Sequence, residues 1–471
     1  MKKKVKVAII GAGTAGINAM EEVRKSTGDY ALINGGELGT TCARVGCMPS
    51  KVLIQVANDY HRRQVFREEG IDGSEALSLD RVKAMNHVRK LRDRFTSGII
   101  NNVVKPLGDR FVEGFAEFIT PTRIKVEGLE LLAERTVIAT GSRPVFPDRW
   151  HHLKDHILTT DSLFEQQDLP QNIAVIGMGA VGLEMGQALA RLGLQVVGLD
   201  VLEYIGGLSD PEVNRHARHL FSKEFPLYLG SEADIAKTGD KLEVKAGEKS
   251  VIVDKVLLSM GRQPNIEYLH LERLGIELDD DGVPPFDLRT LQIADLPIFI
   301  AGDANAHLPV LHETAHEGTV AGFNAVRSEA VAFERRAPLR IAFSDPNICV
   351  AGASWDDLKD KSPAVGTNRF DGGREKIMAK DKGLINIYAD RKNGELLGAE
   401  MVGPGTEHLA HMLAWSVQAK HTVHDMLQFP YYHPTIQETL RAALNDLAEK
   451  ISRRDNDPLV GFKTQPKRLH H

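Results

Sequence analysis

A strand, a glycine-rich turn and a helix occur together twice in this chain, and that repeat constrains the fold more than any other feature. In the first copy, residues 5–10, which are apolar except for Lys6, read as a buried strand that leads into Gly11-x-Gly13-x-x-Gly16 and a helical stretch. Another apolar strand follows at residues 30–33. A glycine triplet between a strand and a helix is typical of a dinucleotide-binding lobe.

The second copy begins at residues 173–176, an apolar strand that leads into Gly177-x-Gly179-x-x-Gly182 and a helical stretch; its next strand is residues 195–199. In this motif the first glycine allows the tight turn, the second lets backbone approach a pyrophosphate, and the third lets helix and strand pack closely. The helix N-terminus offers unpaired N–H groups to the phosphates. Two dinucleotide-binding lobes are therefore predicted, with ordinary tight turns as the alternative.

Later strands close each lobe and start a third region. Residues 136–141 and 256–261 are apolar strands that each end in a glycine, as expected where the last strand of a lobe ends near bound cofactor. A third strand, residues 298–301, ends shortly before Asp303.

From about Pro338 strand-like runs are followed by helices. The strands are residues 384–389 and 396–402, and the helices lie around residues 407–420 and 436–452. This pattern predicts a separate α+β domain. The predicted fold class is thus α/β, with two Rossmann-like dinucleotide-binding domains and a C-terminal α+β domain.

Length and charge exclude several classes of protein. A chain of 471 residues is too long for a single small binding module, at roughly 150 residues per domain. The net charge of −6 argues against a nucleic-acid carrier, and no apolar run approaches the roughly 20 residues of a membrane helix. Three cysteines are too few for a secreted disulfide scaffold, which predicts a cytoplasmic location. The basic start of the chain is read as a solvated terminus before a strand, since no signal-peptide pattern follows Lys2, Lys3, Lys4 and Lys6.

Cys42 and Cys47 carry the sharpest chemical signal. Four residues separate them, and no partner cysteine or histidine pair lies nearby, so a zinc site is disfavoured and no metal is predicted. In a regular helix, residues five apart have Cα atoms roughly 8–9 Å apart, whereas a disulfide needs about 4.4–6.8 Å. If the two cysteines pair, the helix must be distorted, and Gly46 and Pro49 permit this.

A disulfide across so short a loop stabilises a fold little, so it is better explained as redox-active; buried, unreactive thiols are the alternative. Thiol exchange needs a thiolate, which a helix N-terminus or a nearby cation favours. Hydride does not pass directly between nicotinamide and sulfur, but a flavin exchanges hydride with one and electrons with the other. Two lobes beside one dithiol therefore predict FAD in one lobe and NAD(H) in the other.

His433 precedes the last helical stretch and follows two tyrosines. Dithiol chemistry needs a base that titrates near neutrality, and Glu438 could fix the tautomer of such a histidine. Helix capping is the competing interpretation, either with Pro434 in the first turn or with Thr435 and Glu438 as a capping box. Cys349 stands alone in an apolar stretch and is read as a core residue.

With these residues assembled, the chain resembles the class I pyridine nucleotide–disulfide oxidoreductases, and among them the dihydrolipoamide dehydrogenases, from about Lys4 to about Leu447. The phrases at residues 39–51 and 433–438 are highly specific. The resemblance implies FAD in the first lobe, NAD in the second, and an interface domain that forms a homodimer. The implied domains are 1–146 with 269–336 for FAD, 147–268 for NAD, 337–455 for dimerisation, and 456–471 as a flexible tail.

The resemblance also implies catalytic roles. Cys42 is the thiol that exchanges with substrate, and Cys47 lies against the flavin as a charge-transfer thiolate. His433 is the base that completes the active site of the partner chain, and Glu438 orients it.

Further residues are implied as cofactor contacts. Lys51 and Glu184 form an ion pair near the flavin, Asp303 binds its ribityl chain, and His312 lies in the adjoining stretch. Asp200 binds the adenosine ribose of the nicotinamide cofactor, and its carboxylate favours NAD over NADP. The full implied set is Gly11, Gly13, Gly16, Asn34, Lys51, Ala116, Thr140, Gly141, Ser142, Asp303 and His312 for FAD, and Gly177, Gly179, Gly182, Glu184, Asp200 and Gly261 for the second lobe and its border.

One position departs from the family. Asn34 lies 18 residues beyond Gly16, where the family usually has a glutamate for the FAD ribose; Asp200 lies 18 residues beyond Gly182. An amide oxygen accepts a hydrogen bond without charge, so a weaker ribose contact is expected. Glu37 could replace it only if the loop shifted.

The implied reaction is oxidation of dihydrolipoamide, free or on the lipoyl domain of a 2-oxoacid dehydrogenase complex, with NAD⁺. The chain carries both thiols, which soluble transhydrogenases do not, and its end has no cysteine pair of the kind expected in mercuric reductase or large thioredoxin reductases. Asp200 is not followed by the arginines expected in glutathione reductase. Two alternatives remain: an NAD(P)H-dependent reductase of another small disulfide, and a low-turnover flavoprotein with a structural or redox-sensing role.

Overall fold

A computed structural model describes residues 2–451. The predicted flexible tail, residues 456–471, lies outside this part, as does the end of the predicted interface domain. None of the helices between residues 2 and 451 combines the length and apolarity that a membrane crossing requires.

The strands are numbered in chain order. The first group is β1 (Lys2–Ile10), β2 (Tyr30–Asn34), β3 (Phe111–Glu113), β4 (Ala116–Thr120), β5 (Arg123–Val126), β6 (Leu129–Ile138) and β7 (Ser142–Pro144). The second is β8 (Ile157–Leu158), β9 (Asn172–Ile176), β10 (Gln195–Asp200), β11 (Leu227–Leu229), β12 (Ala233–Thr238), β13 (Lys241–Ala246), β14 (Lys249–Val253), β15 (Lys255–Leu258), β16 (Arg262–Pro264) and β17 (Ile298–Ile300). The last is β18 (Leu339–Ala342), β19 (Asn347–Gly352), β20 (Ala364–Arg369), β21 (Leu384–Ala389) and β22 (Leu396–Gly403).

The α-helices are numbered in the same way. They are α1 (Thr14–Val23), α2 (Thr41–Arg44), α3 (Cys47–Phe66), α4 (Arg81–Ile99), α5 (Thr160–Leu163), α6 (Ala180–Arg191), α7 (Pro211–Phe221), α8 (Leu311–Ala325), α9 (Trp355–Leu358), α10 (Gly373–Ile377), α11 (Thr406–Gln418), α12 (Val423–Leu427) and α13 (Gln437–Glu449).

The first sheet has the order β3-β2-β1-β6-β5-β4, and β17 also pairs with β6. Strands β1, β2, β3, β6 and β17 are parallel, whereas β4 and β5 are antiparallel. Successive residues of a strand point to opposite faces. Ile9 packs in the cluster that contains α1, and Ile10 packs in the cluster of Phe118. Both faces are therefore covered, as a parallel sheet requires.

Helix α8 brings the chain back onto α1 at close range. A Cβ atom at Gly318 would lie 2.2 Å from the carbonyl oxygen of Ala15, and one at Gly322 would lie 2.4 Å from that of Ala19. Only glycine permits this contact, which fixes the middle of α8 against α1.

The second lobe is a parallel sheet of order β11-β10-β9-β15-β8. The antiparallel strands β12-β13-β14 are inserted between β11 and β15. The C-terminal domain is an antiparallel sheet of order β18-β19-β22-β21-β20. Helices α11 and α13 share its apolar core. The predicted α/β fold with a C-terminal α+β domain is confirmed.

Two buried carboxylates join the second lobe to the C-terminal domain. Glu400 in β22 accepts hydrogen bonds from the backbone N–H groups of Ser209 and Asp210, each at 2.8 Å. Asp210 in turn accepts from Asn386 Nδ2 at 2.8 Å and from the Tyr388 hydroxyl at 2.7 Å. The loop that leads into α7 is thereby fixed to the sheet of the last domain.

Several element boundaries differ from the sequence prediction. Strand β1 includes Lys2, because the basic residues pair with the start of β6. They are mostly exposed, as predicted, but they belong to the strand and do not merely precede it. The final helix begins at Gln437, so Pro434 lies outside its first turn.

Candidate active site

The two cysteines lie on either side of a helix break. Cys42 belongs to the short helix α2, whose N-terminus is capped by the Thr40 side chain, which accepts from Ala43 N at 3.2 Å. The chain leaves helical geometry at Gly46 (φ −122°, ψ −117°), and Cys47 begins the 20-residue helix α3. A Cβ at Gly46 would lie 3.0 Å from Thr41 O, so glycine relieves crowding at the break. The predicted distortion of the helix is present.

Both thiols are free in this structure, and they differ in acidity. The Cys42 thiol donates a hydrogen bond to the sulfur of Cys47, and this bond and burial raise the pKa of Cys42. The same hydrogen bond, helped by the charge of Lys51 and opposed by burial, lowers the pKa of Cys47 to about 7. Its position at the start of α3 also favours a thiolate. The dithiol therefore holds its negative charge on Cys47.

This asymmetry predicts a titration near neutrality in the reduced protein. Because the pKa of Cys47 lies below its ordinary value of 9.0, the thiolate forms as pH rises through about 7. We therefore expect the ultraviolet absorbance of the thiolate to rise with pH in a step whose midpoint is about 7. Cys47→Ser should abolish this step. A single step near the ordinary thiol value would contradict the assignment.

Lys51 connects the dithiol to two other elements. Its Nζ lies 2.6 Å from Oε2 of Glu184, which is buried in α6. Glu184 Oε1 accepts from the backbone N–H of Phe343 at 2.7 Å, and Lys51 Nζ lies 4.7 Å from the centre of the Phe343 ring. The structure thus brings the implied ion pair together and ties it to both the second lobe and the C-terminal domain.

A cavity of about 1440 Å³ opens in front of the dithiol. It is large enough for a ligand well beyond drug size. The implied site residues that line it are Gly11, Gly13, Asn34, Cys42, Cys47, Lys51, Ala116, Thr140, Gly141, Ser142, Glu184, Asp303 and His312. Those that do not line it are Gly16, Gly177, Gly179, Gly182, Asp200, Gly261, His433 and Glu438.

The first glycine turn fits a bound pyrophosphate. A Cβ at Gly16 would lie 1.8 Å from Gly11 O, so this glycine is required by packing, whereas a Cβ at Gly13 would meet nothing within 4 Å. Gly13 is also the N-cap of α1, and no side chain caps that helix. The buried Thr140 Oγ1 in the cavity wall has no hydrogen-bond partner among the described residues. A dinucleotide pyrophosphate would fit the open space at Gly13 and accept hydrogen bonds from the uncapped N–H groups of α1. The Thr140 hydroxyl is a further donor on the cavity wall.

The second glycine turn repeats this geometry. A Cβ at Gly182 would lie 1.7 Å from Gly177 O, and one at Gly179 would meet nothing within 4 Å. Asp200, at the end of β10, accepts from Met178 N at 2.6 Å. The second lobe therefore also leaves room at the middle glycine and presents a carboxylate next to it.

Asp303 lies in a polar cluster on the cavity wall. Its Oδ2 accepts from Ser142 Oγ at 2.6 Å, and its Oδ1 accepts from Thr314 Oγ1 at 3.1 Å. Arg262 donates to Ser142 Oγ at 2.8 Å and to Ser142 O at 2.7 Å. Sequence reasoning selected Gly261 but missed Arg262. The available signal was an arginine directly after the glycine that ends the second lobe.

His433 and Glu438 are brought together, away from the cavity of their own chain. His433 Nδ1 lies 2.9 Å from Glu438 Oε1, and the side chain of His433 is 79% exposed. Glu438 Oε2 also accepts from Thr435 N at 3.1 Å, which is one of the two hydrogen bonds of a capping box. The second is missing, because the N-cap of α13 is Ile436 and no side chain caps this helix. The hydrogen bond from His433 lowers the pKa of Glu438, which keeps it ionised.

Three further residues singled out in the sequence are Cys349, His312 and Glu37. Cys349 is buried in β19, as predicted, and burial raises the pKa of its thiol to about 12. His312 lies in the first turn of α8, and burial lowers its pKa. Glu37 forms an ion pair with Arg44, so its carboxylate already has a partner.

Two family models match this chain. One, described as "Pyridine nucleotide-disulphide oxidoreductase", covers residues 5–319. The chain belongs to the pyridine nucleotide-disulphide oxidoreductase family. The second, described as the dimerisation domain of the same family, covers residues 339–444 and supports the predicted homodimer. Family membership confirms the predicted resemblance, the oxidoreductase activity, and FAD and NAD as cofactors.

Curated relatives and solved structures agree with this family. The dihydrolipoyl dehydrogenase of Halobacterium salinarum is 28% identical over 94% of this chain and 97% of the relative. That of Thermus scotoductus is 28% identical over 94% and 98%. LpdA of Mycobacterium tuberculosis superposes with a TM-score of 0.80 at 23% identity, covering 94% of this chain and 100% of that one. The HOCl-induced flavoprotein disulfide reductase RclA of Escherichia coli, as a Cu(II) complex, gives 0.81 at 20% identity, covering 96% and 100%. These two structures share the fold.

The open space at Gly13 predicts a selective effect in this family member. Gly13→Ala places a methyl group where the protein has no atom within 4 Å, so the fold is retained while the phosphate cradle is partly filled. We expect the FAD dissociation constant to rise about tenfold, measured by flavin release on dilution. The control is Gly28→Ala, an exposed position whose added Cβ would have its nearest neighbour at 3.8 Å. Equal flavin retention in the two variants would contradict the assignment of Gly13 to a phosphate-binding site.

Proposed function

We propose that this chain is an NAD-dependent dihydrolipoamide dehydrogenase. The observation that carries the proposal is the asymmetric dithiol at the start of α3, with Cys42 protonated and Cys47 inclined to ionise on the wall of one large cavity. The names of the curated relatives, at 28% identity over nearly the full chain, support the same substrate.

The residues of this chain perform the thiol exchange. With Cys42 and Cys47 joined as a disulfide, a substrate thiolate attacks Cys42 Sγ, which forms a mixed disulfide and releases Cys47 as a thiolate. The lower pKa of Cys47 makes it the better leaving group. Lys51 stabilises the charge that appears there.

The second substrate thiol completes the oxidation. It loses its proton to the partner's His433 and attacks the substrate sulfur of the mixed disulfide, which gives the cyclic disulfide and frees Cys42. Two electrons have then moved from the substrate to the dithiol, and they leave as the hydride of NADH. A bound flavin supplies the connection, because it exchanges electrons with a thiolate and hydride with a nicotinamide.

His433 is suited to act across a dimer interface. Glu438 holds the ring at Nδ1, which leaves Nε2 to take the substrate proton. The imidazole is exposed and does not line the cavity of its own chain. The exposed Trp415 of α11 lies at the edge of that cavity, where a second copy would cover it.

The division of labour among the domains follows the same proposal. Residues 1–146 and 269–336 hold FAD, residues 147–268 hold NAD, and residues 337–455 form the dimer interface. The return of β17 and α8 to the first sheet supports the discontinuous FAD domain. A cytoplasmic location agrees with the small number of cysteines.

A substrate comparison tests the proposal. Purified protein should form NADH from NAD⁺ with free dihydrolipoamide and with a dihydrolipoyl domain, and should use NADP⁺ at least about tenfold less well because Asp200 would face its 2′-phosphate. The same protein is then given NADH or NADPH with other small disulfides. If one of those disulfides gives a higher kcat/KM than dihydrolipoamide, that disulfide is the substrate. Negligible turnover with dihydrolipoamide and with every disulfide would favour a structural or sensing flavoprotein.

A further inference from the structure

The strand that follows each glycine turn ends in a side chain that reaches back to the turn. In the first lobe, Ala12 N donates to Asn34 Oδ1 at 3.1 Å. In the second, Met178 N donates to Asp200 Oδ2 at 2.6 Å. Asn34 and Asp200 therefore make equivalent contacts to the residue after the first glycine of their lobe.

The two side chains differ in their second hydrogen bond, which Asp200 accepts and Asn34 donates. Asp200 Oδ1 accepts from Leu202 N at 2.9 Å, two residues further along. Asn34 Nδ2 donates to Gly36 O at 2.6 Å, also two residues further along. One loop thus presents an N–H group to its strand end, and the other presents a carbonyl oxygen.

This reversal explains why the first lobe carries an amide. The Ala12 N–H donates to the Asn34 side chain and the Gly36 carbonyl accepts from it, so the two contacts together fix the orientation of the amide. A carboxylate could keep the first contact but not the second. At Gly36 it would place a negative oxygen against a carbonyl oxygen, which costs more than the loss of the bond alone.

The loop that Asn34 holds is confined on its other side as well. A Cβ at Gly35 would lie 2.6 Å from the Phe115 ring and 2.7 Å from Phe115 N. Gly114 N donates to Asn34 O at 3.0 Å. Asn34, Gly35 and Gly36 all line the cavity, so the shape of this loop sets the shape of the cavity wall.

We propose that Asn34 is a positioning residue for the loop at residues 35–37 and not a weak substitute for an acidic ribose ligand. This inference rests on the placement of FAD in the first lobe under the proposed function. It follows that an acid at this position weakens FAD binding, although an acid that bound ribose hydroxyls would strengthen it.

The test compares Asn34→Ala and Asn34→Asp with the wild-type holoenzyme. FAD release on dilution is followed by flavin fluorescence, which gives the dissociation constant. Asn34→Ala loses two hydrogen bonds, and Asn34→Asp loses one and adds a repulsion, so we expect a constant raised several-fold for alanine and about tenfold or more for aspartate. Asp200→Asn, the matched change in the second lobe, should leave FAD release unchanged.

A measurement with a second ligand distinguishes a positioning role of Asn34 from a role as a ribose ligand. This measurement is informative even if the aspartate variant does not fold. FAD that lacks the 2′-hydroxyl of its adenosine ribose is bound to each protein in place of FAD. A positioning role lowers the affinity for both ligands by the same factor, because Asn34 does not touch the hydroxyl. Tighter FAD binding by Asn34→Asp, an unchanged constant, or a factor for Asn34→Ala that differs between the ligands would overturn the inference. Wild-type protein that binds no FAD would instead overturn the cofactor placement on which the inference rests.

Discussion

Replacing Cys42 with serine will lower the rate of dihydrolipoamide oxidation by NAD⁺ at least about 1000-fold, since the substrate then has no disulfide sulfur to attack. Serine is close to cysteine in size and keeps a donor toward Cys47, so the fold and the FAD content should be unchanged. Steady-state NADH formation at saturating substrate measures the loss.

A second activity distinguishes lost chemistry from a damaged site. Transfer of electrons from NADH to a small one-electron acceptor needs the cofactors but no thiol, so Cys42→Ser should retain it. Cys349→Ser is the matched control, because Cys349 is buried in β19 away from the cavity and should leave both activities intact. Full dihydrolipoamide oxidation by Cys42→Ser would refute the mechanism.

The Lys51–Glu184 pair spans 133 residues and was implied only by the family resemblance. The other parts of the site that sequence could predict are those in which neighbours in the chain are also neighbours in space. The break between Cys42 and Cys47 is local, since it depends on Gly46 and on the start of α3. The glycine turns are local for the same reason, because Gly16 must pack on Gly11 a few residues earlier. In both cases a short sequence motif includes all the residues that make the contact.

The parts that sequence could not predict depend on partners far along the chain. Arg262 meets Ser142 across 120 residues, and no spacing rule connects them. The asparagine at position 34 was noticed as a departure, but its meaning depends on a carbonyl that points toward it from Gly36. The adjoining Gly35 lies against Phe115, which is distant in the chain, and only the folded loop reveals this contact.

Glu400 is the clearest residue of this second kind, and its replacement predicts a large loss of stability. The side chain is fully buried in β22, and donors from other segments surround it. The Ser209 hydroxyl donates to its Oε1, and three backbone N–H groups donate as well. Its oxygens accept from Ser209 N, Asp210 N and Trp355 N, each at 2.8 Å. Glu400→Ala would leave these three N–H groups, one fully buried and two partly buried, without their carboxylate acceptor.

Each buried N–H group that loses its partner costs about 1–3 kcal/mol, so we expect Glu400→Ala to lower the free energy of unfolding by about 3–5 kcal/mol. The shift in the midpoint of chemical unfolding, measured at one fixed protein concentration because a dimer is expected, reports it. Glu449→Ala, an exposed change at the end of α13, is the control and should shift stability by less than about 0.5 kcal/mol. An equally small shift for Glu400→Ala would mean that water replaces the carboxylate, and that this joint between the second lobe and the C-terminal domain is open to solvent.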